Sequence, residues 1–447
     1  MKKSIRQIAI TLGISWLLGI QPCHGYPASN IDEAIAKLDM YIKLQVQRKH
    51  IPGCAVAVVY QNQIIFMHGY GVKSVGKPEK IDADTVFQLG SVSKPVAASL
   101  ASILENKGFI KFEDPVNHYL PQFALNSRQP HKTVKIKHIL SHSTGVPRAG
   151  FNNLIESHAS YPRILKALQN TPVRSAVGKQ YDYHNAMYAL LSNITESATG
   201  LSFQHSLEAN LLKPLNMTNT SATLSALLQT ANRATPHVKN QRGALMPCDQ
   251  YSKGYYNVAP AGGINSSIRD MAIFLKAQLG GYPEVLNHRA LARIQLPQIP
   301  TQNTLSPSDA PPQTIKNARY AYGWRVVDFA HSKLVFHGGW VKGFTNFIAF
   351  MPEHAVGIVV LHNSEAKFSS RAAVKFFESL LKLPQNKQPL KMNKSSLMIQ
   401  HNRRFDALKT TSTKSSQKLS KKKAPVKRLK LKKVATHIRI KHASATP

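Results

Sequence analysis

Hydrophobic positions follow different periods in different parts of the chain. IDEAIAKLDMYIKLQVQRKH repeats apolar residues at helical spacing, whereas GCAVAVVYQNQIIFMHGYGVKS has two apolar runs around the turn QNQ, which is typical of a hairpin. Later, YAYGWRVVDF, KLVFHGGW and GFTNFIAFMPEHAVGIVVLHN predict consecutive antiparallel strands. Residues 148–256 show mostly helical patterns broken by Gly and Pro. The pattern therefore predicts an α/β fold, with one sheet built from both ends and a helical lobe between them.

The two ends of the chain differ from this body, 26–384. Residues 1–25 have a basic start, the apolar run IAITLGISWLLGI and a small residue at Gly25, which predicts a cleaved secretory signal peptide. No later segment is apolar for long enough to predict a membrane helix. Of the net charge of +36, residues 385–447 hold 18 Lys/Arg and one acidic residue. We therefore expect an exported protein, periplasmic or secreted, with a disordered basic tail.

The stretch DTVFQLGSVSKPVAASLASILENKG carries the first candidate chemistry. It predicts a short strand, a turn and a helix, with Ser91 at the corner and Lys94 one helical turn later on the same face. A serine becomes a nucleophile when a nearby base takes its proton, and a lysine whose pKa is lowered can be that base. Five other Ser-x-x-Lys matches occur in the chain, so the spacing alone is weak evidence.

Two further clusters fit a serine hydrolase. In YDYHNAMYALLS, a phenolate at Tyr183 could take the serine proton, and Asn185 offers both a donor and an acceptor to a substrate amide. In VFHGGWVKGF, His337 and Gly339 lie on a predicted strand edge, and the Trp340 N–H is a candidate oxyanion donor beside that of Ser91. Taken singly, each cluster is equally consistent with a helix cap or a hairpin.

GSVSK, YHN and HGG, in this order, resemble the serine β-lactamase and penicillin-binding family, with class C enzymes as the closest branch. HILSHSTGVP, PAGGINSSIRDMA and YGWRV extend the resemblance over about residues 30–383. It implies a β-lactamase/transpeptidase-like fold with Ser91 acylated, Lys94 as its proton partner and Tyr183 as general base. It also implies that Asn185, His337, Gly339 and Trp340 contact the substrate.

The third motif departs from the β-lactamase pattern, in which Lys-Thr-Gly stands where this chain has His337, Gly338 and Gly339. The resemblance assigns the lysine to holding the charges of substrate and tyrosinate, and the threonine hydroxyl to receiving a carboxylate. Three interpretations remain open at this point. The protein hydrolyses β-lactams, which we narrowly favour; it is a D-Ala-D-Ala carboxypeptidase, D-aminopeptidase or esterase; or it binds such substrates without turnover.

Other features add expectations about ligands and partners. His138 and His142 have a metal-capable spacing but fall in a structural stretch of the resemblance, so we expect packing, with no metal and no cofactor. Cys54 and Cys248 could form a disulfide after export or remain two thiols. Small-molecule β-lactams, peptides or esters are the expected substrates. The tail predicts contact with an anionic cell-envelope surface, and export argues against nucleic acid.

Overall fold

An eight-stranded antiparallel sheet runs through the middle of the fold in the order β2-β1-β12-β11-β10-β9-β8-β7. Two short pairs, β3-β6 and β4-β5, lie outside it. The strands are β1 Gly53–Tyr60, β2 Gln63–Gly71, β3 Val86–Gln88, β4 His237–Lys239, β5 Leu245–Pro247, β6 Asn265–Ser267, β7 Ile299–Pro300, β8 Ile315–Tyr320, β9 Arg325–Phe329, β10 Ser332–Val341, β11 Phe344–Met351 and β12 Val356–His362. Because β1 pairs with β12, both ends of the body contribute to one sheet, and the predicted fold class is confirmed.

The α-helices surround this sheet and fill the chain between β2 and β7. They are Ala28–Gln47, Ser93–Asn106, Val116–Tyr119, Ile136–Leu140, Asn152–Glu156, Tyr161–Gln169, Asn185–Thr199, Phe203–Leu207, Leu224–Gln229, Ala259–Gly262, Ile268–Gln278, His288–Gln295 and Ser369–Lys382. Short 3₁₀ turns cover Gly90–Val92, Lys253–Val258 and Pro352–His354, and Glu208–Leu212 forms one π-helical turn.

This computed structural model describes residues 28–125, 134–148, 150–302, 305 and 315–382. The predicted signal peptide, 1–25, and the predicted basic tail, 385–447, lie outside these residues and stay predictions. Nowhere in the described ranges does a helix combine the length and hydropathy that a bilayer crossing requires. Cys54 and Cys248 are both free thiols.

The sheet is covered on both faces, which explains why its central strands are almost continuously apolar. In β1, Cys54, Val56 and Val58 pack with the terminal helices Ala28–Gln47 and Ser369–Lys382. The alternate residues Ala55, Ala57 and Val59 join the larger core beneath the helical lobe. Two hydrophobic cores thus hold the sheet between helical layers, as side-chain alternation along a strand requires.

The segment YAYGWRVVDF, predicted as one strand, divides into two. Tyr320 ends β8, a turn closes with the Ala321 N–H donating to the Trp324 carbonyl over 2.7 Å, and β9 begins at Arg325. Gly323 sits in this turn at φ +79°, a conformation that favours glycine. As a result, Arg325 lies at the end of the sheet that faces the helical lobe.

Candidate active site

Ser91 lies where β3 gives way to the helix Ser93–Asn106. The chain turns at Gly90, which has φ +55°, and Ser91 follows in a 3₁₀ turn with its side chain partly exposed. A Cβ at Gly90 would lie 2.8 Å from the Trp340 carbonyl oxygen, so only glycine fits this close approach to β10. The turn therefore places the Ser91 hydroxyl at the junction of the sheet and the helical lobe.

Lys94 is completely buried one helical turn beyond Ser91. Its Nζ donates to Asn185 Oδ1 and to the Ala261 carbonyl, each at 2.7 Å, and lies 3.4 Å from Ser91 Oγ. Burial, and secondarily the charge of Arg325, holds the pKa of Lys94 well below its usual value. A neutral amine has two N–H groups and one lone pair. Because the two acceptors occupy both N–H groups, the lone pair remains for the Ser91 proton.

Tyr183 lies close to both Lys94 and Ser91. Lys94 Nζ is 4.5 Å from the centroid of its ring. Burial raises the pKa of Tyr183, while a hydrogen-bonding interaction with Ser91 and the charge of Arg325 oppose that rise. The phenol is therefore protonated near pH 7. Of the two candidate bases, Lys94 is the one whose neutral form burial favours, so the predicted general-base role of Tyr183 remains a prediction.

Asn185 begins the helix Asn185–Thr199, and the preceding His184 caps that helix by accepting the Met187 N–H over 3.2 Å. The Asn185 carboxamide accepts from Lys94 and donates to Asn152 Oδ1 over 3.0 Å. Both ends of this amide are thus bonded within the protein.

Gly339 and Trp340 bring the edge of β10 against the Ser91 turn. β10 pairs with β9 only through Ser332–Phe336, so the following residues face the turn on that side. A Cβ at Gly339 would lie 2.1 Å from the Leu89 carbonyl oxygen, and the Trp340 backbone nitrogen is 2.9 Å from a Cβ built at Gly90. The backbones that hold both predicted oxyanion donors are therefore in contact at this junction.

The Trp340 side chain is 47% exposed at this junction. It borders a cavity of about 510 Å³ that Tyr251 and Tyr255 also line. A larger cavity, about 1120 Å³, is lined by residues of the Ala28–Gln47 helix and by Lys77 and Lys80 after β2, and Ser91 does not line it. Trp340 therefore connects the smaller cavity to the Ser91 junction, although Ser91, Lys94 and Tyr183 do not line either cavity.

His337 is only 1% exposed, which changes the role that its position suggested. Its Nδ1 lies 2.8 Å from the Gly338 carbonyl, which can only accept, so Nδ1 carries the proton. Its Nε2 lies 3.1 Å from the Tyr320 hydroxyl, which then donates. Burial, with the charges of Arg325 and Lys94, holds the pKa of His337 well below its usual value. The ring is neutral with both nitrogens engaged, so the expected contact between His337 and substrate stays a prediction.

Two residues near the reactive groups were missed or assigned to packing. Arg325 places its guanidinium carbon 5.6 Å from the Tyr183 ring centroid, yet the sequence pattern put it inside a strand. His142, expected only to pack, has φ +55° and a ring centroid 4.4 Å from that of Tyr183. Its Nδ1 accepts the His184 N–H over 3.2 Å. The stretches YGWRV and HILSHSTG were the available signals, and neither assigns a role.

His138 and His142, whose spacing could suit a metal, make different contacts in the structure. His138 Nδ1 accepts the Lys135 N–H over 3.0 Å at the start of the Ile136–Leu140 helix, whereas His142 packs on Tyr183. Within the described residues, no group of three or more His, Cys, Asp or Glu side chains is arranged to hold a metal ion.

Residues 38–378 match the family model described as Beta-lactamase. The chain belongs to the beta-lactamase family. Protein flp of Staphylococcus aureus (strain COL) is 26% identical over 336 residues, covering 74% of this chain and 64% of the relative. Unguisins hydrolase ungD' of Aspergillus campestris (strain IBT 28561) is 28% identical over 342 residues, covering 74% of this chain and 62% of the relative. The chain thus spans under two thirds of the length of these relatives.

The structure of the octameric penicillin-binding protein homologue from Pyrococcus abyssi is similar in fold. It superposes with a TM-score of 0.69 at 22% identity, over 79% of this chain and 78% of that one. This beta-lactamase family member therefore has the fold of a penicillin-binding protein homologue.

Proposed function

We propose that the protein opens amide bonds, including those of β-lactams, through an acyl-enzyme on Ser91. The buried Lys94, whose Nζ donates over 2.7 Å to Asn185 Oδ1 and to the Ala261 carbonyl and lies 3.4 Å from Ser91 Oγ, carries this proposal. Such an amine can take a serine proton near neutral pH without an external base.

The proton then follows a closed path. As the bond between Ser91 Oγ and the carbonyl carbon forms, the hydroxyl proton moves to Lys94 Nζ. The Tyr183 phenol gives its proton to the leaving nitrogen as the carbon–nitrogen bond breaks, and the resulting phenolate recovers a proton from the Lys94 ammonium. Both side chains return to their neutral forms, and water releases the acyl group by the reverse sequence. The Ser91 and Trp340 N–H groups would hold the oxyanion in each half-reaction.

A second candidate, a peptidase or esterase that reacts poorly with β-lactams, is favoured by the third motif. His337 is neutral with both nitrogens engaged, and Gly338 has no hydroxyl. The residues at the Lys-Thr-Gly positions therefore offer neither a cation nor a hydroxyl to a substrate carboxylate. Substrates without that carboxylate, such as neutral esters or D-amino peptides, would lose nothing at this position.

Intact-protein mass spectrometry with a penicillin, alongside a chromogenic cephalosporin assay, tests the proposed function. We expect a transient adduct on Ser91 and continuous cephalosporin hydrolysis. A lasting adduct without turnover would indicate a penicillin-binding protein in place of a hydrolase. Absence of any adduct, with hydrolysis of short esters or D-amino peptides, would favour the second candidate.

We also propose that the basic tail, 385–447, attaches the exported enzyme to an anionic envelope surface. Each Lys or Arg near such a surface contributes about 1 kcal/mol at most, so a few contacts are enough for more than tenfold stronger binding. Removal of 385–447 is expected to spare catalysis and to lower sedimentation with phosphatidylglycerol vesicles at low salt. Equal attachment of the full-length and shortened proteins would rule out this role, and phosphatidylcholine vesicles provide the control.

A further inference from the structure

Arg325 is a cation without an anionic partner in a largely aromatic setting. Its guanidinium carbon lies 5.4, 5.6 and 5.8 Å from the ring centroids of Tyr320, Tyr183 and Tyr181. Its Nη1 is buried and has no hydrogen-bond partner, and none of the ion pairs among the described residues involves it. Keeping an unpaired charge in such a place costs free energy, which is why a functional role for it is worth testing.

Among the described residues, the surroundings of Arg325 contain bases, phenols and the further cation Arg148, which acts on Tyr181, and no ion pair brings a carboxylate to Arg325. The titratable side chains that face Arg325 and the Ser91–Lys94 pair from the neighbouring elements are Lys94, His142, Tyr181, Tyr183, His184, Tyr188, Tyr255, Tyr320 and His337. The nearest acidic influence is Asp182, which acts on Tyr181 from the adjoining loop. The positive charge of Arg325 acts on both Lys94 and Tyr183, the two groups that exchange the proton.

We propose that Arg325 is a positioning residue of the reaction, a fixed positive charge that favours the anionic form of Tyr183 during proton transfer and so replaces the third-motif lysine. This inference rests on the proposed function, because it concerns the same proton path. The replacement is geometric as well as electrostatic. β9 and β10 are paired neighbours, and Arg325 stands opposite Phe336, directly before His337. Compared with the third-motif lysine, the cation of this chain is therefore supplied by the neighbouring strand, β9, and it still faces the Tyr183 ring.

Both partners in the proton path respond to this charge in the same useful sense. Arg325 lowers the pKa of Lys94, which keeps the amine ready to accept a proton, and it opposes the burial that raises the pKa of Tyr183. Removing the charge should raise the Lys94 pKa. The activity that depends on neutral Lys94 would then appear only at higher pH.

A fluorophosphonate probe measures this effect without any carboxylate on the substrate. Ser91 Oγ forms a bond to phosphorus while the phosphorus–fluorine bond breaks. Fluoride leaves with the electron pair of that bond, and the hydroxyl proton passes to Lys94. We expect Arg325→Met to slow labelling at pH 7 by a fewfold and to shift the rising limb of the labelling rate against pH upward by about one pH unit. Arg325→Lys, which keeps the charge, should keep the limb near its wild-type position.

A transplanted charge gives the decisive comparison. In the Arg325→Met background, His337→Lys is expected to return the rising limb of the labelling rate toward its wild-type pH. The substitution His337→Lys alone should shift that limb much less. Circular dichroism and the melting temperature identify any variant that fails to fold, and Arg325→Gln, which also removes the charge, then takes the place of Arg325→Met.

Two outcomes would overturn the inference. If wild-type protein labels at Ser91 but Arg325→Met leaves the limb in place, or Arg325→Lys shifts it as far as Arg325→Met, Arg325 has no such role. If wild-type Ser91 does not label at any pH, the proposed function itself fails, and this inference fails with it.

Discussion

Replacement of Ser91 by alanine is expected to abolish every covalent adduct and to lower hydrolysis by about 10⁴-fold or more, the usual cost of removing a catalytic nucleophile. The other two hydrogen-bond partners of Lys94 Nζ among the described residues are an amide oxygen and a backbone carbonyl, and neither can replace the serine as nucleophile. Stopped assays and intact mass spectrometry with a penicillin and a fluorophosphonate measure both effects.

Stability should respond little to the same change. The Ser91 side chain is partly exposed and its contact with Lys94 is long, at 3.4 Å, while the two 2.7 Å contacts that hold the lysine do not involve Ser91. We therefore expect a melting temperature within a few degrees of wild type. Ser379→Ala is a matched control, because Ser379 and Lys382 repeat the same spacing on a helix far from the site. An adduct that still forms on Ser91→Ala would show that a different residue is the nucleophile.

The sheet and its layers were predictable because they depend on local pattern. The runs that became β1, β11 and β12 are apolar at nearly every position, as strands buried on both faces must be. The division of YAYGWRVVDF was not predictable from periodicity. A turn at Gly323 interrupts a run that alternates well enough to pass for one strand, and the bond between Ala321 and Trp324 forms only once the strands pair.

In the candidate site, too, features set by local sequence were predictable and features set by distant residues were not. The placement of Ser91 and Lys94 on one helical face follows from spacing. The burial that lowers the Lys94 pKa does not, since the Ala261 carbonyl comes from 167 residues away in the sequence. The sequence likewise suggested a substrate contact for His337 because motifs align by order. Its hydrogen bond with Tyr320 depends on the face of β10 from which the His337 side chain projects, which the order of motifs does not specify.

Arg325 shows most clearly what could not be predicted from the sequence. A cation in the middle of a predicted strand is usually a solvated side chain, and nothing local distinguishes it. Only the three-dimensional convergence of Tyr181, Tyr183 and Tyr320 around it marks the residue. If the third-motif lysine is absent, the charge that it would supply must come from another strand, and the structure offers one candidate among the described residues at the Tyr183 ring besides Lys94.

The second large effect is expected at Gly339, where alanine should lower kcat about 100-fold while the protein still folds. A Cβ there would lie 2.1 Å from the Leu89 carbonyl oxygen and 3.0 Å from the Val92 nitrogen. Backbone atoms cannot rotate away, so β10 and the Ser91 turn must separate. A displacement of about 1 Å is enough to misplace the Trp340 and Ser91 N–H groups, and loss of one oxyanion donor costs about 10²–10³-fold.

Gly338→Ala is the control for this change, because it adds the same methyl group one position earlier. A Cβ at Gly338 meets nothing closer than 3.7 Å, so we expect activity within a fewfold of wild type. Steady-state kinetics on both variants, with melting curves, separates a displaced oxyanion site from general unfolding, since overpacking costs about 1–3 kcal/mol. Wild-type kcat in Gly339→Ala would show that the strand edge does not set the oxyanion geometry. Equal losses in the two variants would instead mean that any side chain at this edge blocks the substrate.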